Sequence, residues 1–246
     1  MQKLLKTLLL ILIILISKTV SGQTILLQEK VKDIDFKVPS QGPNYRHFGH
    51  LFLGFGFYIP EGGVYEIDTK ATSTTSLELG WRYKLKLTNW LAIGTGIAYI
   101  NDIFDIEQVD DKVVPTNIKH DKEKLRFNNV GTELYMRFNF GKRGNIIGRF
   151  LDIGTYWNWA FKVKHMYQDK GSNQPPYMAG LERVILNKLS YVEPFNYGVK
   201  ARFGINRYVI TASYRLNDLL TEEYRTATGE YYFPKLAVGL ELGLFR

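Results

Sequence analysis

The sequence contains no cysteine. It therefore has no disulfide framework, no thiolate metal site and no cysteine for attachment of a lipid at the N-terminus. Beyond its first 22 residues it also lacks any apolar run close to the roughly 20 residues that a membrane-spanning helix needs, and its mean hydropathy is −0.17. These absences exclude a helical membrane protein. No internal repeat and no glycine-rich phosphate loop is visible.

The charge balance is basic, but the basic residues do not form a patch. The net charge is +8, and three of the lysines (Lys3, Lys6 and Lys18) lie in an N-terminal segment without acids, so removal of that segment lowers the net charge to +5. The other basic residues mostly alternate along predicted strands. This pattern excludes the clustered cationic surface that nucleic-acid binding requires.

Residues 1–22 are typical of a secretory signal peptide. Lys3 and Lys6 form the charged start, and Leu8–Ile16 is an unbroken apolar core. The modest side chains of Val20-Ser21-Gly22 suit cleavage, so we expect the mature protein to begin at Gln23. The alternative, an uncleaved membrane anchor, needs a longer apolar run.

Residues 23–46 are polar and contain Pro39 and Pro43, which predicts an irregular periplasmic lead-in. Residues 47–246 form the main domain. Aromatic residues make up 14% of the chain and there are 22 glycines. Both features suit a β-barrel, which has belts of aromatic residues on its wall and a crowded interior.

Two long alternating runs lie between Leu125 and Val163 and are joined by the turn Gly141–Asn145. A period of two indicates β-strands, because successive side chains point to opposite faces of a sheet. The apolar face consists of Val130, Thr132, Leu134, Met136, Phe138, Phe140, Leu151, Ile153, Thr155, Trp157, Trp159, Phe161 and Val163. The opposite face carries the charges Glu133, Arg137, Asp152 and Lys162. Strands of about 9–11 residues with an apolar lipid face and a polar lumen face fit this pattern.

Six further runs alternate in the same way, which makes eight strands. They cover residues 50–58, 76–87, 91–99, 195–204, 208–217 and 235–244. The links after the second, fourth and sixth strands are tight. The links after the other strands are long and comprise Ile59–Thr74, Asp105–Lys124, Tyr167–Asn187 and Thr221–Glu230.

Outer-membrane barrels have short periplasmic turns and long extracellular loops, and the link lengths follow that order. A soluble barrel would instead place its apolar face inside. The sequence therefore predicts an all-β fold, an eight-stranded antiparallel up-and-down transmembrane β-barrel in the outer membrane, after a cleaved signal peptide. Arg149 breaks the apolar face, but it lies next to a short turn where its side chain can reach the interface.

Ten charged residues are predicted to face the interior. They are Glu78, Arg82, Lys84, Glu133, Arg137, Asp152, Lys200, Arg202, Arg215 and Glu241. Such charges could line a pore, but an eight-stranded barrel is only wide enough for side chains to fill it. An unpaired buried charge is costly. We therefore expect a packed network of ion pairs and no conduction.

Three segments carry a resemblance to a known family: His47–Gly54, Trp81–Asn89 and Lys124–Asn129. From His47 onward the chain resembles the PorT-like outer-membrane β-barrel proteins of the Bacteroidota. The resemblance implies a non-enzymatic barrel. The member that names the family is tied to type IX secretion, most members have no assigned role, and no residue here corresponds to a known functional position.

The last strand resembles the signal that barrel-assembly machinery recognises, since it combines Gly239 with Leu242 and Leu244. The aromatic Phe245 is followed by Arg246, a departure from barrels that end in an aromatic residue. We expect this machinery as a partner during insertion. Outer-membrane lipids and lipopolysaccharide are the expected lasting partners, and an envelope protein is a further candidate.

Residues with catalytic chemistry are few. Of four histidines, His47 and His50 lie near the start of the first strand, where interfacial packing suits them, and His120 and His165 lie in or near long links. A deacylase at the outer rim needs a nucleophile, a base and an acid. The available combinations are His165 with Ser172 or Ser190 and with Glu182 or Glu193.

The acids Asp102, Asp105, Glu107, Asp110 and Asp111 follow no Ca²⁺-loop spacing and fit a solvated loop better than a cation site. We therefore assign no catalytic, cofactor-binding or metal-binding residue and expect no cofactor. The predicted function is that of a structural or interaction component of the cell envelope. A narrower form of this prediction makes the protein an accessory to secretion or gliding machinery. The alternative is a lipid- or peptide-modifying enzyme, which needs His165 or His120 within hydrogen-bond reach of a serine or an acid.

Overall fold

A computed structural model describes residues 40–110, 112–141, 144–170 and 181–245. The predicted signal peptide and most of the predicted lead-in therefore lie outside the described residues. Within these ranges there are nine β-strands and one short helix. The strands are β1 (His47–Ile59), β2 (Thr75–Lys86), β3 (Leu91–Ile106), β4 (Lys122–Phe140), β5 (Arg149–Lys170), β6 (Leu181–Asn187), β7 (Phe195–Ile205), β8 (Tyr208–Arg215) and β9 (Leu236–Leu244), and the helix α1 is Glu222–Thr228.

Eight of the strands form one antiparallel sheet that closes on itself as a ring. Their order is β4-β3-β2-β1-β9-β8-β7-β5, and a further pairing between β4 and β5 completes the ring. These eight strands are the eight that the sequence predicts. The ninth, β6, pairs only with residues 164–170 of β5 and extends the sheet outside the ring.

The register of the strands separates the two faces of the ring. Leu53 on β1 lies opposite Leu79 on β2 and Leu242 on β9, and the side chains of this row point outward. The next row of β1 holds Gly54, opposite Glu78 and Glu241, and points inward. Alternation along each strand thus produces an apolar outer face and a polar inner face, as a period of two requires.

The links alternate between short and long in the predicted order, but two of the long links contain regular structure. Part of the link after β5 forms β6. The link after β8 contains α1, whose first turn carries Glu222 and Glu223, favourable charges at a helix N-terminus. The helix ends at Gly229, where φ is 107°, a left-handed conformation that glycine adopts without steric cost. No helix in the described ranges is long and apolar enough to cross a membrane.

The predicted faces of β5 are wrong beyond Phe161, which is itself exposed as predicted. The pairing with β4 shifts register at this point, because Asn129 lies opposite Ala160 and Asn128 opposite Lys162. Phe161 is therefore an extra residue, a β-bulge, which reverses the alternation. Phe161 and Lys162 are both exposed, and Val163, predicted to face outward, packs against a buried cluster inside the ring.

The interior of the ring has three layers. The charged residues occupy the middle layer. We call the end of the ring that carries the long links the long-loop end and the opposite end the short-turn end. The layer at the long-loop end is apolar and comprises Ile67, Phe104, Ile106, Val114, Leu125, Phe127, Ala160, Val192, Leu219, Leu220 and Phe233. We call this cluster the apolar cap. A smaller apolar cluster of Phe48, Ile147, Phe150 and Val209, with Phe245 against it, lies at the short-turn end.

The short-turn end is also covered by the residues that precede β1. Lys84 Nζ donates a hydrogen bond to the carbonyl oxygen of Pro43 over 2.5 Å, and Asn44 Nδ2 donates to the carbonyl oxygen of Gly144 over 2.8 Å. The last part of the predicted lead-in thus packs across the turns. Apolar clusters therefore lie at both ends of the interior, and the segment before β1 packs across the turns at one of them.

Candidate functional site

The central feature of the interior is a chain of six alternating charges. Its members are Glu241, Arg82, Glu133, Arg202, Asp152 and Arg137, in that order. They project from five strands, β9, β2, β4, β7 and β5. Three guanidinium groups face three carboxylates, so the chain is electrically neutral. We call it the ion-pair chain.

Arg82 joins the first two acids of the ion-pair chain. Its Nη1 and Nη2 donate to Glu241 over 2.5 and 3.0 Å, and its Nε donates to Glu133 over 2.6 Å. The side chain of Arg82 is 1% exposed. A guanidinium group with two carboxylates at these distances makes the strong, charge-assisted hydrogen bonds that a buried charge requires.

Arg202 and Arg137 continue the ion-pair chain in the same way. Arg202 Nη1 donates to both carboxylate oxygens of Glu133 over 2.8 and 2.6 Å, and its Nε donates to Asp152 over 3.2 Å. Arg137 binds Asp152 with two parallel hydrogen bonds of 2.7 and 2.8 Å. Each of Glu133 and Asp152 is therefore shared between two arginines, so the loss of either acid affects two cations.

Aromatic rings pack against the guanidinium groups. Arg82 lies 4.0 Å above the ring of Phe52, and Arg137 lies 3.7 Å above the ring of Phe150. Glycine provides the space. A Cβ on Gly96 would lie 2.8 Å from Glu133 Oε1, so a larger residue at position 96 would displace the shared carboxylate.

The other four predicted inward charges also have partners. Lys200 pairs with Glu78 at 2.6 Å, and Lys84 donates to Pro43. Arg215 donates to the carbonyl oxygens of Phe233 and Pro234 at the base of the apolar cap. Eight of the ten predicted inward charges therefore form ion pairs with one another, as predicted, and Lys84 and Arg215 donate to backbone carbonyl oxygens.

A cavity of about 50 Å³ with a mixed polar and apolar lining lies beside the ion-pair chain, between Glu133 and Tyr58. Its lining includes Glu78, Asp102, Asn158, Lys200 and Ser213. Binding pockets for small organic ligands usually have volumes of about 300–1,000 Å³. A cavity this small suits one or a few water molecules and not an organic substrate.

A second polar cluster lies at the long-loop end, beside the apolar cap. His165 Nε2 lies 2.8 Å from Glu123 Oε1, and the Tyr191 hydroxyl oxygen lies 3.1 Å from His165 Nδ1, so both ring nitrogens are within hydrogen-bond distance of a partner. Lys112 and Gln108 donate to the other oxygen of Glu123. Burial would raise the pKa of Glu123, but the hydrogen bonds from His165, Lys112 and Gln108 outweigh it and hold the pKa below its ordinary value.

This cluster bears on the enzyme alternative. His165 meets Glu123, an acid that the sequence did not suggest, instead of Glu193, and Ser190 is exposed beside Tyr191. Ser172 and the side chain of Glu182 lie outside the described residues. Both ring nitrogens of His165 are engaged and the residue is 1% exposed. It is therefore not available as a base for an external substrate.

His120 also lies within reach of an acid, since its Nδ1 is 2.8 Å from Asp169 Oδ2 and its ring stacks on Tyr167 at 4.3 Å. His47 bonds to the Tyr83 hydroxyl at 2.6 Å, and His50 packs between aromatic rings inside the ring of strands. His165 and His120 thus each lie within hydrogen-bond reach of an acid, which the enzyme alternative requires. No serine hydroxyl in the described residues is bonded to a histidine.

The predicted acidic loop is divided between different partners. Asp102 bonds to Asn129 inside the ring, Asp105 pairs with Lys124, and Asp110 pairs with Lys119. Asp111 lies outside the described residues. In the part of the chain that the structure describes, no group of three or more acids and histidines is arranged to hold a metal ion.

A comparison with protein-family models finds no match to this chain, and a comparison with curated proteins finds none either. The resemblance to the PorT-like proteins therefore stays a prediction. The function must be inferred from geometry, charge and the two faces of the sheet.

Glu133→Ala tests the ion-pair chain. The substitution leaves Arg82 and Arg202 buried without a shared acid, and breaking a buried ion pair typically costs about 3–5 kcal/mol. We expect a loss of that size in the free energy of unfolding, measured by urea titration of the folded protein in detergent. The matched control is Glu107→Ala, because Glu107 is exposed and surface substitutions usually change stability by about 0.5 kcal/mol or less. A cost for Glu133→Ala no larger than the control would contradict the assigned role.

Glu123→Gln tests the polar cluster through pH. A carboxyl group whose pKa is lowered by folding stabilises the folded state above its ordinary value of 4.5, and this stabilisation is lost as the pH falls through the lowered pKa. We expect Glu123→Gln to be less stable than wild type at neutral pH and the difference to shrink in acid. Urea titrations across that range measure it, with Glu107→Gln as the control. A difference that does not change with pH would show that the charge of Glu123 is unimportant.

Proposed function

We propose that the chain is an eight-stranded outer-membrane β-barrel with a packed, non-conducting interior that serves as a structural or interaction component of the cell envelope. The observation that carries this proposal is the outer face of the ring. Large apolar side chains are exposed on each of its eight strands, and they include Leu51, Leu53, Phe55, Leu77, Leu79, Ile93, Ile97, Leu134, Met136, Ile153, Trp157, Val199, Phe203, Ile210 and Leu240.

Aromatic side chains border this apolar band at both ends. At the long-loop end the exposed aromatic residues are Tyr99, Trp159, Phe161 and Phe195, and at the short-turn end they are Trp90, Phe140 and Tyr208. Transmembrane barrels carry such belts at the two membrane interfaces. On β5 the band extends from Leu151 to Phe161, a length that agrees with the roughly 9–11 residues of a tilted spanning strand.

A soluble protein would have to leave this whole band in contact with water. Soluble monomers rarely expose a contiguous apolar patch larger than a few hundred Å². The polar interior points the same way, since ten charged residues occupy the place where a soluble barrel holds its apolar core. The bilayer is therefore the solvent that best fits the two faces.

Three features support a non-conducting interior. The ion-pair chain fills the middle of a ring of eight strands, a number that leaves room only for side chains. The apolar cap closes the long-loop end, and Phe245 with the residues before β1 closes the other. A water-filled path through the barrel would have to pass all three layers.

The proposed role in the cell envelope rests on other grounds than the membrane location and the packed interior. An accessory role in secretion or gliding follows only from the PorT-like resemblance, and the neighbouring genes would test it most directly. The enzyme alternative has the support of one observation, the contacts of His165 and His120 with acids. The burial of His165 favours a structural role for that contact.

Leu134→Arg and Phe140→Arg together test the membrane location. Both residues lie on the outer face of β4, with Leu134 in the middle of the band and Phe140 at its short-turn end. An arginine on the lipid face costs about 2–4 kcal/mol at the midplane and about 0–1 kcal/mol near the interface. We expect this difference in unfolding titrations in lipid vesicles. Equal costs at the two positions, or recovery of the wild type in a soluble periplasmic fraction, would contradict a membrane location.

Planar-bilayer recording tests the closed interior. The purified wild type should insert without sustained conductance, because paired charges and two apolar layers block the lumen. A porin of 16–18 strands, which keeps an aqueous channel, serves as the positive control. Steady single-channel currents from the wild type would show that the interior opens.

A further inference from the structure

The outer face of β4 and β5 changes from apolar to basic just beyond the aromatic belt at the long-loop end. Three cations lie there: Arg126 on β4 and Lys162 and Lys164 on β5. The Phe161 ring, directly before Lys162, lies 6.3 Å from the ring of Tyr99 in the belt. The basic cluster therefore begins where the aromatic belt ends.

The β-bulge at Phe161 creates this cluster. Without it, Lys162 and Lys164 would have pointed into the ring, as the sequence predicts. With the extra residue they point outward, so that Arg126 lies directly opposite Lys164 and Asn128 opposite Lys162. The bulge thus places two lysines beside an arginine on one surface.

The three cations of the cluster are not paired with acidic side chains of the described residues. No acid in the described ranges lies within 4 Å of Arg126, Lys162 or Lys164, whereas the neighbouring Lys124 is paired with Asp105 at 2.8 Å. Like charges directly opposite each other on a sheet are destabilising. In addition, Arg126 Nε is buried without a hydrogen-bond partner. An anion on this surface would relieve the repulsion between the cations.

The depth of the cluster defines the kind of anion. A strand rises about 3.3 Å per residue, so the cluster extends roughly 10 Å along the strand beyond Phe161, and less along the membrane normal because the strands tilt. The polar layer on each side of a bilayer is about 5–7 Å thick. In the proposed barrel the three cations therefore lie at the level of lipid headgroups, on the extracellular side.

The surface below the cluster suits acyl chains. The exposed side chains of Val130 on β4 and of Trp157 and Trp159 on β5 form an apolar face directly below it. An apolar groove of about 490 Å³ lies farther along the outer face of β2 to β5, from the middle of the apolar band toward its short-turn end. Its walls include Leu85, Ile93, Leu134, Met136 and Ile153, and its lining also includes the smaller Thr95 and Thr155. The outer face of β4 and β5 thus combines a cationic site at headgroup level with an apolar face at the depth of outer-leaflet acyl chains, and the groove lies deeper, toward the short-turn end.

We propose that Arg126, Lys162 and Lys164 bind the phosphate groups of a phosphorylated glycolipid of the outer leaflet, whose acyl chains pack on the apolar face below. This inference rests on the proposed membrane location. Arginine makes bidentate bonds to phosphate, and lysine supplies a point charge. An acidic protein segment is the other occupant that such charges could take, but the position directly above the aromatic belt favours a lipid.

The test is native mass spectrometry of the full-length mature protein in non-ionic detergent with added diphosphoryl lipid A. The test variant combines Arg126→Gln, Lys162→Gln and Lys164→Gln. A cation near an anionic lipid surface contributes roughly a fivefold gain in affinity, so the triple variant should bind on the order of 100-fold more weakly than wild type. Dephosphorylated lipid A should bind weakly to both proteins.

The matched control variant combines Arg149→Gln, Lys70→Gln and Lys188→Gln. It removes one arginine and two lysines outside the cluster, and Arg149 is an exposed cation at the opposite membrane interface. This variant should bind diphosphoryl lipid A like wild type. An equal loss of binding in both variants would show a non-specific charge effect and overturn the proposal.

Further outcomes separate the possible failures. A test variant that is heat-modifiable on gels, as closed barrels are, yet binds diphosphoryl lipid A as tightly as wild type overturns the inference alone. Displacement of the lipid by inorganic phosphate, or tighter binding of an oligoglutamate peptide, would assign the cluster to a free anion or a protein segment instead. A wild type that is not heat-modifiable and needs no detergent would overturn the membrane location itself.

Discussion

The structure depends on one constraint, that the charges enclosed by the ring must neutralise one another. The ion-pair chain meets this constraint with three arginines and three acids from five strands. Because side chains alternate along a strand, a slip of one residue would move every member on that strand to the opposite face. The apolar outer face excludes such a slip as well, but it does not exclude a slip of two residues, which keeps each side chain on its face. The pairing of Arg82 with Glu133 and Glu241 distinguishes these registers, because it is made at only one relative position of β2, β4 and β9.

Two opposite arrangements follow each other along β4 and β5. In the half of the strands that carries the apolar band, Leu134 faces outward and Glu133 inward. Toward the long-loop end, Arg126 faces outward and Leu125 and Phe127 are buried inside. The first arrangement suits lipid outside and the second suits water outside. The bulge at Phe161 lies where the two arrangements meet on β5. β4 and β5 are longer than a spanning strand because each strand carries both arrangements.

The sequence predicted the eight strands, their order of long and short links and the inward position of the ten charges, because each depends on a local period of two. The partners of those charges could not be predicted, since Arg82 and Glu241 are 159 residues apart. The bulge at Phe161 was missed because an extra residue leaves no compositional mark. The apolar cap was also missed, although Leu125 and Phe127 share the parity of Asn129, which was a usable indication. The contact of His165 with Glu123 depends on the pairing of β4 with β5. The spacing of residues along the sequence therefore could not predict it.

The bond between Arg82 and Glu241 also has a consequence for how the chain folds. It joins the second strand to the last one, and β1 likewise pairs with β9. Neither contact can form until the C-terminal strand arrives, and long-range contacts of this kind slow folding because loop closure must precede them. A partly assembled sheet would hold Arg82 with one of its two acids absent. Completion of the ion-pair chain and closure of the ring are therefore one cooperative event, and intermediates that lack β9 are disfavoured by electrostatics as well as by missing backbone hydrogen bonds.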